Sequence, residues 1–106
     1  MNLADIMKQA SQMQAKMADV QEKLEHMFVQ GRAGNGLVKI TMSGKFAVRA
    51  IEIDPSLMKA DEHEMLEDLI LTAFGDAKAK AETAAAEEMK SVTAGIPLPP
   101  GMKLPF

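Results

Sequence analysis

Apolar or small side chains recur at Leu3, Ile6, Ala10, Met13, Met17, Val20, Leu24 and Met27, in steps that alternate between three and four. That spacing keeps one face of a helix apolar for nearly four heptads, with Lys, Gln and Asp between and no Gly or Pro to interrupt it. It predicts a helix over about residues 2–27. Three seam positions are Met, whose flexible thioether adapts to more than one partner shape. The seam therefore fits two readings: coiled-coil-like packing within a dimer, or a groove that grips another protein.

The pattern then changes period. Phe28–Ala33 reads as a first strand, and Asn35-Gly36 follows as a hairpin turn, since both residues accept positive φ. Leu37–Ser43 alternates Val38, Ile40 and Met42 against Lys39 and Thr41, as a half-buried strand does. Ser43-Gly44-Lys45 makes a second turn, and Phe46–Ile53 a third strand. In that strand the alternation slips, with Phe46 and Val48 on one parity and Ile51 and Ile53 on the other. A bulge near Ala50 accounts for the slip. The middle of the chain is thus expected to be a three-stranded antiparallel meander.

Asp54-Pro55-Ser56 closes the sheet and predicts a short helical turn through Leu57 and Met58, with Asp as N-cap and Pro at the first position. Asp61 followed by Glu64 has the spacing of a capping box. A second long helix is predicted from there to about Ser91, with Leu66, Leu69, Ile70, Ala73, Phe74 and Ala77 on its apolar face. Beyond Ala77 that face narrows to Ala81, Ala84 and Ala85. Gly75 is a weak point inside it, open to a bend or a close backbone approach. Pro97, Pro99, Pro100 and Pro105 exclude helix or central strand from 95–106. The expected organisation is one domain over 1–94 and a Pro-rich tail over 95–106.

Length turns this pattern into an argument about assembly. At 1.5 Å per residue the two helices would span roughly 39 and 46 Å. A compact chain of this size has a radius of gyration near 13 Å. Neither helix can be covered along its whole length by so small a body, so their ends must project or pack against another subunit. The expectation is an α+β fold with a long N-terminal helix, a three-stranded antiparallel sheet and a long C-terminal helix, paired as a homodimer.

Charge complicates any nucleic-acid reading, since the 106-residue chain carries a net −3. The distribution is uneven, however. Residues 26–51 hold Arg32, Lys39, Lys45 and Arg49 without one acid, whereas seven of the fifteen acids fall in residues 52–68. Many of those acids lie at the start of the second helix, where the dipole favours them. A basic patch remains available.

Reactive chemistry is sparse. No cysteine is present, which removes disulfides and thiolate sites and suits a reducing cytoplasm. The two histidines, His26 and His63, stand far apart, and His63-Glu64-Met65-Leu66-Glu67 lacks the second His of a zinc motif. The glycines of 31–36 precede a strand and no Gly-Lys-Ser/Thr, so they make neither a P-loop nor a dinucleotide fingerprint. Four Phe with no Tyr or Trp offer few platforms for stacking single-stranded bases. Met-Asn-Leu-Ala-Asp has no basic stretch expected of a signal peptide, and no apolar run reaches the ~18 residues of a membrane span. These features predict a soluble cytosolic protein that is not an enzyme and uses no cofactor, metal or small-molecule substrate.

Several stretches together resemble the YbaB/EbfC family. They are Met7-Lys8-Gln9-Ala10 through Gln12-Met13-Gln14 with Lys16-Met17; Gly36-Leu37-Val38-Lys39-Ile40-Thr41; Ile51-Glu52-Ile53-Asp54-Pro55-Ser56-Leu57; Glu64-Met65-Leu66-Glu67-Asp68-Leu69 with Ala73-Phe74; and Leu98-Pro99-Pro100-Gly101-Met102-Lys103-Leu104-Pro105-Phe106. The resemblance implies a tweezers-like homodimer with helices as arms. It also implies binding to double-stranded DNA with little sequence preference, nucleoid association and an influence on gene expression. Contacts placed on the arms map to Lys8, Lys16 and Lys23 in the first helix and Lys78, Lys80 and Lys90 in the last. The dimer contact is expected near Val38, Ile40 and Phe46. The alternative is a protein–protein adaptor that uses the Met-rich helix as its groove.

Overall fold

The computed structural model describes residues 2–93, with side chains to residue 90. Helix α1 (Leu3–His26) leads into strands β1 (Phe28–Ala33), β2 (Val38–Ser43) and β3 (Val48–Ile53). Two 3-10 turns, Pro55–Leu57 and Ala60–Glu62, connect the sheet to helix α2 (His63–Thr93). The expected α+β architecture is present, with the strands in antiparallel order β1-β2-β3. The tail at 95–106 lies outside the described residues.

Local chemistry sets most boundaries. The Asn2 side chain accepts the Asp5 N–H at 2.9 Å and caps α1. The first hairpin turns through Gly34, Asn35 and Gly36, all at positive φ. Asp54 accepts the Ser56 N–H at 2.9 Å and starts the 3-10 turn that buries Leu57. The capping box expected at Asp61 and Glu64 does not form. The chain is already helical there, with the Glu62 N–H donating to the Lys59 carbonyl at 3.0 Å, so Asp61 sits inside a 3-10 turn rather than ahead of a helix.

The slip in β3 is real, and it falls one residue before the expected position. Thr41 pairs with Ala50 and Met42 with Val48, which leaves Arg49 as the extra residue. β3 is also shorter than expected, because Gly44, Lys45 and Phe46 form a three-residue loop. Ser43 donates its N–H to Ala47 at 2.8 Å, and the Phe46 N–H donates to Ser43 at 2.9 Å. Phe46 takes φ 68° at the last loop position, where a hairpin of this length calls for a left-handed residue.

The core lies between α2 and one sheet face. Val38, Ile40 and Met42 of β2, Ala33 of β1 and Leu57 pack against Ala73, Ala77 and Ala81 of α2. The alanine side of α2 lets the helix settle close to the sheet. A smaller cluster joins the helices: Val20 and Leu24 of α1 meet Met89 of α2, flanked by Met13, Met17, Met27 and Ala85. The Gly44 N–H reaches the Leu24 carbonyl at 2.9 Å and that of Met27 at 3.0 Å, tying the β2–β3 loop to the last turn of α1. The result is elongated, 69 × 27 × 16 Å, with a radius of gyration of 19.5 Å. That exceeds the ~13 Å of a compact chain of this length, as two projecting helices require.

Candidate nucleic-acid interface

Only the C-terminal half of α1 is packed. Residues 2–12 are exposed throughout and form an arm that leaves the body. Lys8 and Lys16 stand on this helix, exposed and without an ion pair among the described residues. Their eight-residue separation puts them about 12 Å apart along the axis. Lys78 of α2 is likewise exposed and unpaired among the described residues, one helical turn beyond Phe74.

The other three arm lysines are engaged within the chain. Lys23 pairs with Glu88 at 3.0 Å and braces α1 against α2. Lys90 pairs with Glu87 at 3.1 Å. Lys80 donates to the Gln30 carbonyl at 2.9 Å and to Asp76 at 3.0 Å. Asp76 in turn accepts the Arg32 backbone N–H at 3.0 Å. That N–H, and then the Lys80 ammonium, hold the Asp76 carboxyl below its ordinary range, against a smaller opposing effect of burial. Lys80 and Asp76 thus clamp α2 to β1.

The basic middle of the sequence does not gather into one patch. Arg32 and Lys39 are cross-strand partners on the sheet face turned away from α2, and Glu52 stands opposite Lys39 on its other side. Lys45 approaches Glu25 at 3.7 Å. Arg49 is exposed at the bulge. The Arg32–Lys39 pairing was readable in principle, because the turn at Gly34–Gly36 fixes the register.

Val38 and Ile40, near which a dimer contact is expected, are 0% and 1% exposed: α2 covers them, and they are core residues of this chain. The register places Val48 opposite Met42 and Ile51 opposite Ile40, on the same sheet face. α2 packs over β1 and β2, so that face runs out from under the helix at β3 and leaves Val48 and Ile51 open. Leu71 and Phe74 of α2 are open as well, and so is Phe46. Alternation identified the apolar face; which strand lies beyond the helix depends on packing.

A groove of about 840 Å³ runs between the two helices beside the β2–β3 loop. Leu24, Phe46, Ala85, Ala86 and Met89 supply its apolar lining, with Gln21, Glu82 and Lys90 on the rim. Elsewhere, His63 meets Glu67 at 2.6 Å on the surface of α2. No three metal-ligating side chains gather among the described residues. No helix among them is long and apolar enough to cross a membrane.

A small α+β body with partly uncovered helical arms thus presents exposed lysines at Lys8, Lys16 and Lys78. A profile of the YbaB/EbfC DNA-binding family matches residues 1–96, and the chain belongs to that family. A nucleoid-associated protein of Granulibacter bethesdensis is 59% identical over 105 residues, which is 99% of this chain and 98% of that one. A nucleoid-associated protein of Brucella ovis is 53% identical over the same shares of the two chains. The crystal structure of an uncharacterised Helicobacter pylori protein superposes with a TM-score of 0.70, covering 91% of this chain and 97% of that one. At 19% identity that likeness speaks for the fold alone.

Proposed function

We propose that this chain is a nucleoid-associated protein that binds double-stranded DNA through its phosphates, with little sequence preference. The observation that carries the reading is the pair Lys8 and Lys16, exposed on α1 and in no ion pair among the described residues. Family membership supplies the ligand class. Binding neutralises phosphates and releases counterions, which is how a protein without a base-reading element gains affinity. It acts in the cytoplasm, on the nucleoid, where it shapes DNA organisation and gene expression without a cofactor, small-molecule substrate or membrane.

The acting unit is a homodimer. Val48 and Ile51 of β3 and Phe46, Leu71 and Phe74 are exposed apolar side chains, and a twin subunit would cover the open β3 face. Symmetry then presents two copies each of Lys8, Lys16 and Lys78 to one duplex. With roughly 4–6 phosphate contacts per dimer, log affinity should fall with log salt at a slope of about −4 to −5. A gel-shift titration of random duplex DNA across salt tests this. Failure to bind at low salt, or binding indifferent to salt, refutes it.

The groove beside Phe46 and Met89 favours a second reading, a protein–protein adaptor. In that case Ala86→Glu, at an exposed position of the groove lining, would abolish function and Lys16→Glu would leave it intact.

A further inference from the structure

The heptad seam of α1 has one use in its lower half and none in its upper half. Val20 and Leu24 are buried against α2, with Met13 and Met17 beside them. The same seam continues beyond that cluster through Ala10, Ile6 and Leu3. Leu3 is 71% exposed, Ile6 50% and the adjoining Met7 63%. The helix is well formed there, from its Asn2 cap onward, so these side chains present a fixed stripe to solvent.

We propose that this upper seam is a self-association site, at which α1 of one copy pairs with α1 of another through Leu3, Ile6 and Ala10. Three observations select this occupant. The three-four spacing is that of a helix-to-helix seam, and its lower half already serves as one in this chain. The positions flanking Leu3, Ile6 and Ala10 are Asn2, Met7 and Gln9, none of them charged. Two copies therefore approach without like-charge repulsion, and a highly charged foreign helix finds no opposite charge to pair with. Finally, Asp5 and Lys8 fall outside both seam and flanks, so pairing leaves Lys8 facing outward.

The stripe is only a little more than one heptad long. Pairing is weak between free copies and strengthens when copies are held side by side, as on one DNA molecule; that last step alone rests on the DNA reading. The surface differs from the open face at Val48 and Ile51, so it joins basal species to one another rather than forming them.

The test uses the full chain without DNA. Light scattering should show mass rising above that of the basal species at high concentration. Ile6→Asp should abolish the rise and leave the basal mass and helical content unchanged, since Ile6 touches neither core cluster. Because the chain has no cysteine, Ile6→Cys reports on its own position. It should form a disulfide-linked pair on oxidation, or link to Ala10→Cys if the helices run antiparallel, while Lys8→Cys should not. No species above the basal mass, or a rise that survives Ile6→Asp, overturns the proposal. Equal cross-linking at Lys8→Cys overturns it too. Cross-linking that appears only after residues 95–106 are removed assigns the seam to the tail instead and also overturns it.

Discussion

Gly31 of β1 lies directly against Ala77 of α2: a Cβ built on Gly31 would fall 2.7 Å from the Ala77 Cβ and closer still to the helix backbone at Ala73 and Ala77. Real Cβ atoms do not approach so near, and backbone cannot step aside as a side chain can. The sheet and helix meet at the distance this glycine allows.

Gly31→Ala is therefore expected to push α2 off the sheet, at a cost of about 3 kcal/mol. A urea unfolding series reads this as a lower midpoint. An unchanged midpoint would mean that the two layers are not as close as they stand.

Phe46 makes a different prediction. Its φ of 68° is unfavourable for a bulky residue, by about 1–2 kcal/mol against glycine. Phe46→Ala loses the ring and keeps the strained backbone; Phe46→Gly loses the ring and relaxes it. The glycine variant should be the more stable of the two by about 1 kcal/mol, reversing the usual order in a strand or helix. Thermal unfolding of the pair decides it.

Gly75 was open to two readings, a bend or a close approach. A Cβ there would meet nothing within 4 Å, and the position is exposed in mid-helix. Gly75→Ala should accordingly stabilise the protein by about 1 kcal/mol. A loss of stability would instead reveal a partner backbone resting on that site.

The Asp76 carboxyl is held below its ordinary value by the Arg32 N–H and the Lys80 ammonium. A depressed folded value means that the contribution is complete above the usual aspartate range near 3.9 and disappears as pH falls through the lower folded value. Asp76→Asn should lower stability at neutral pH and flatten its decline in acid over that window. Denaturation midpoints of both proteins from pH 7 downward measure the difference.

Lys16 and Lys80 look alike in the sequence and separate in the structure. Lys16→Gln should reduce the salt slope of DNA binding by about 2 per dimer, at 0.9 for each copy, with no effect on stability. Lys80→Gln should leave that slope in place and destabilise by roughly 1 kcal/mol, since it unclamps β1. Equal effects of the two on DNA binding would reinstate Lys80 as a phosphate contact.

That contrast shows what the sequence could carry. The heptads of α1, the alternation of β2 and the turn at Asn35-Gly36 are local and periodic, and they appear where the pattern puts them. The fate of each lysine is not local. Lys80 is lost to the arm because β1, fifty residues away in the chain, offers it a carbonyl. Val38 and Ile40 were legible as apolar, but their cover by α2 of the same chain was not, because it depends on how closely the alanine face and Gly31 let the two layers meet. The capping box failed for a related reason: a 3-10 turn had already consumed the residues that would have formed it.

The clamp between α2 and β1 has one further consequence. β1 is an outer strand, and such a strand presents unpaired peptide groups on which another sheet can grow. Lys80 occupies the Gln30 carbonyl and Asp76 the Arg32 N–H, so two rungs of that ladder are closed by side chains of the chain's own helix. One ion pair thereby blunts this edge against the addition of a foreign strand.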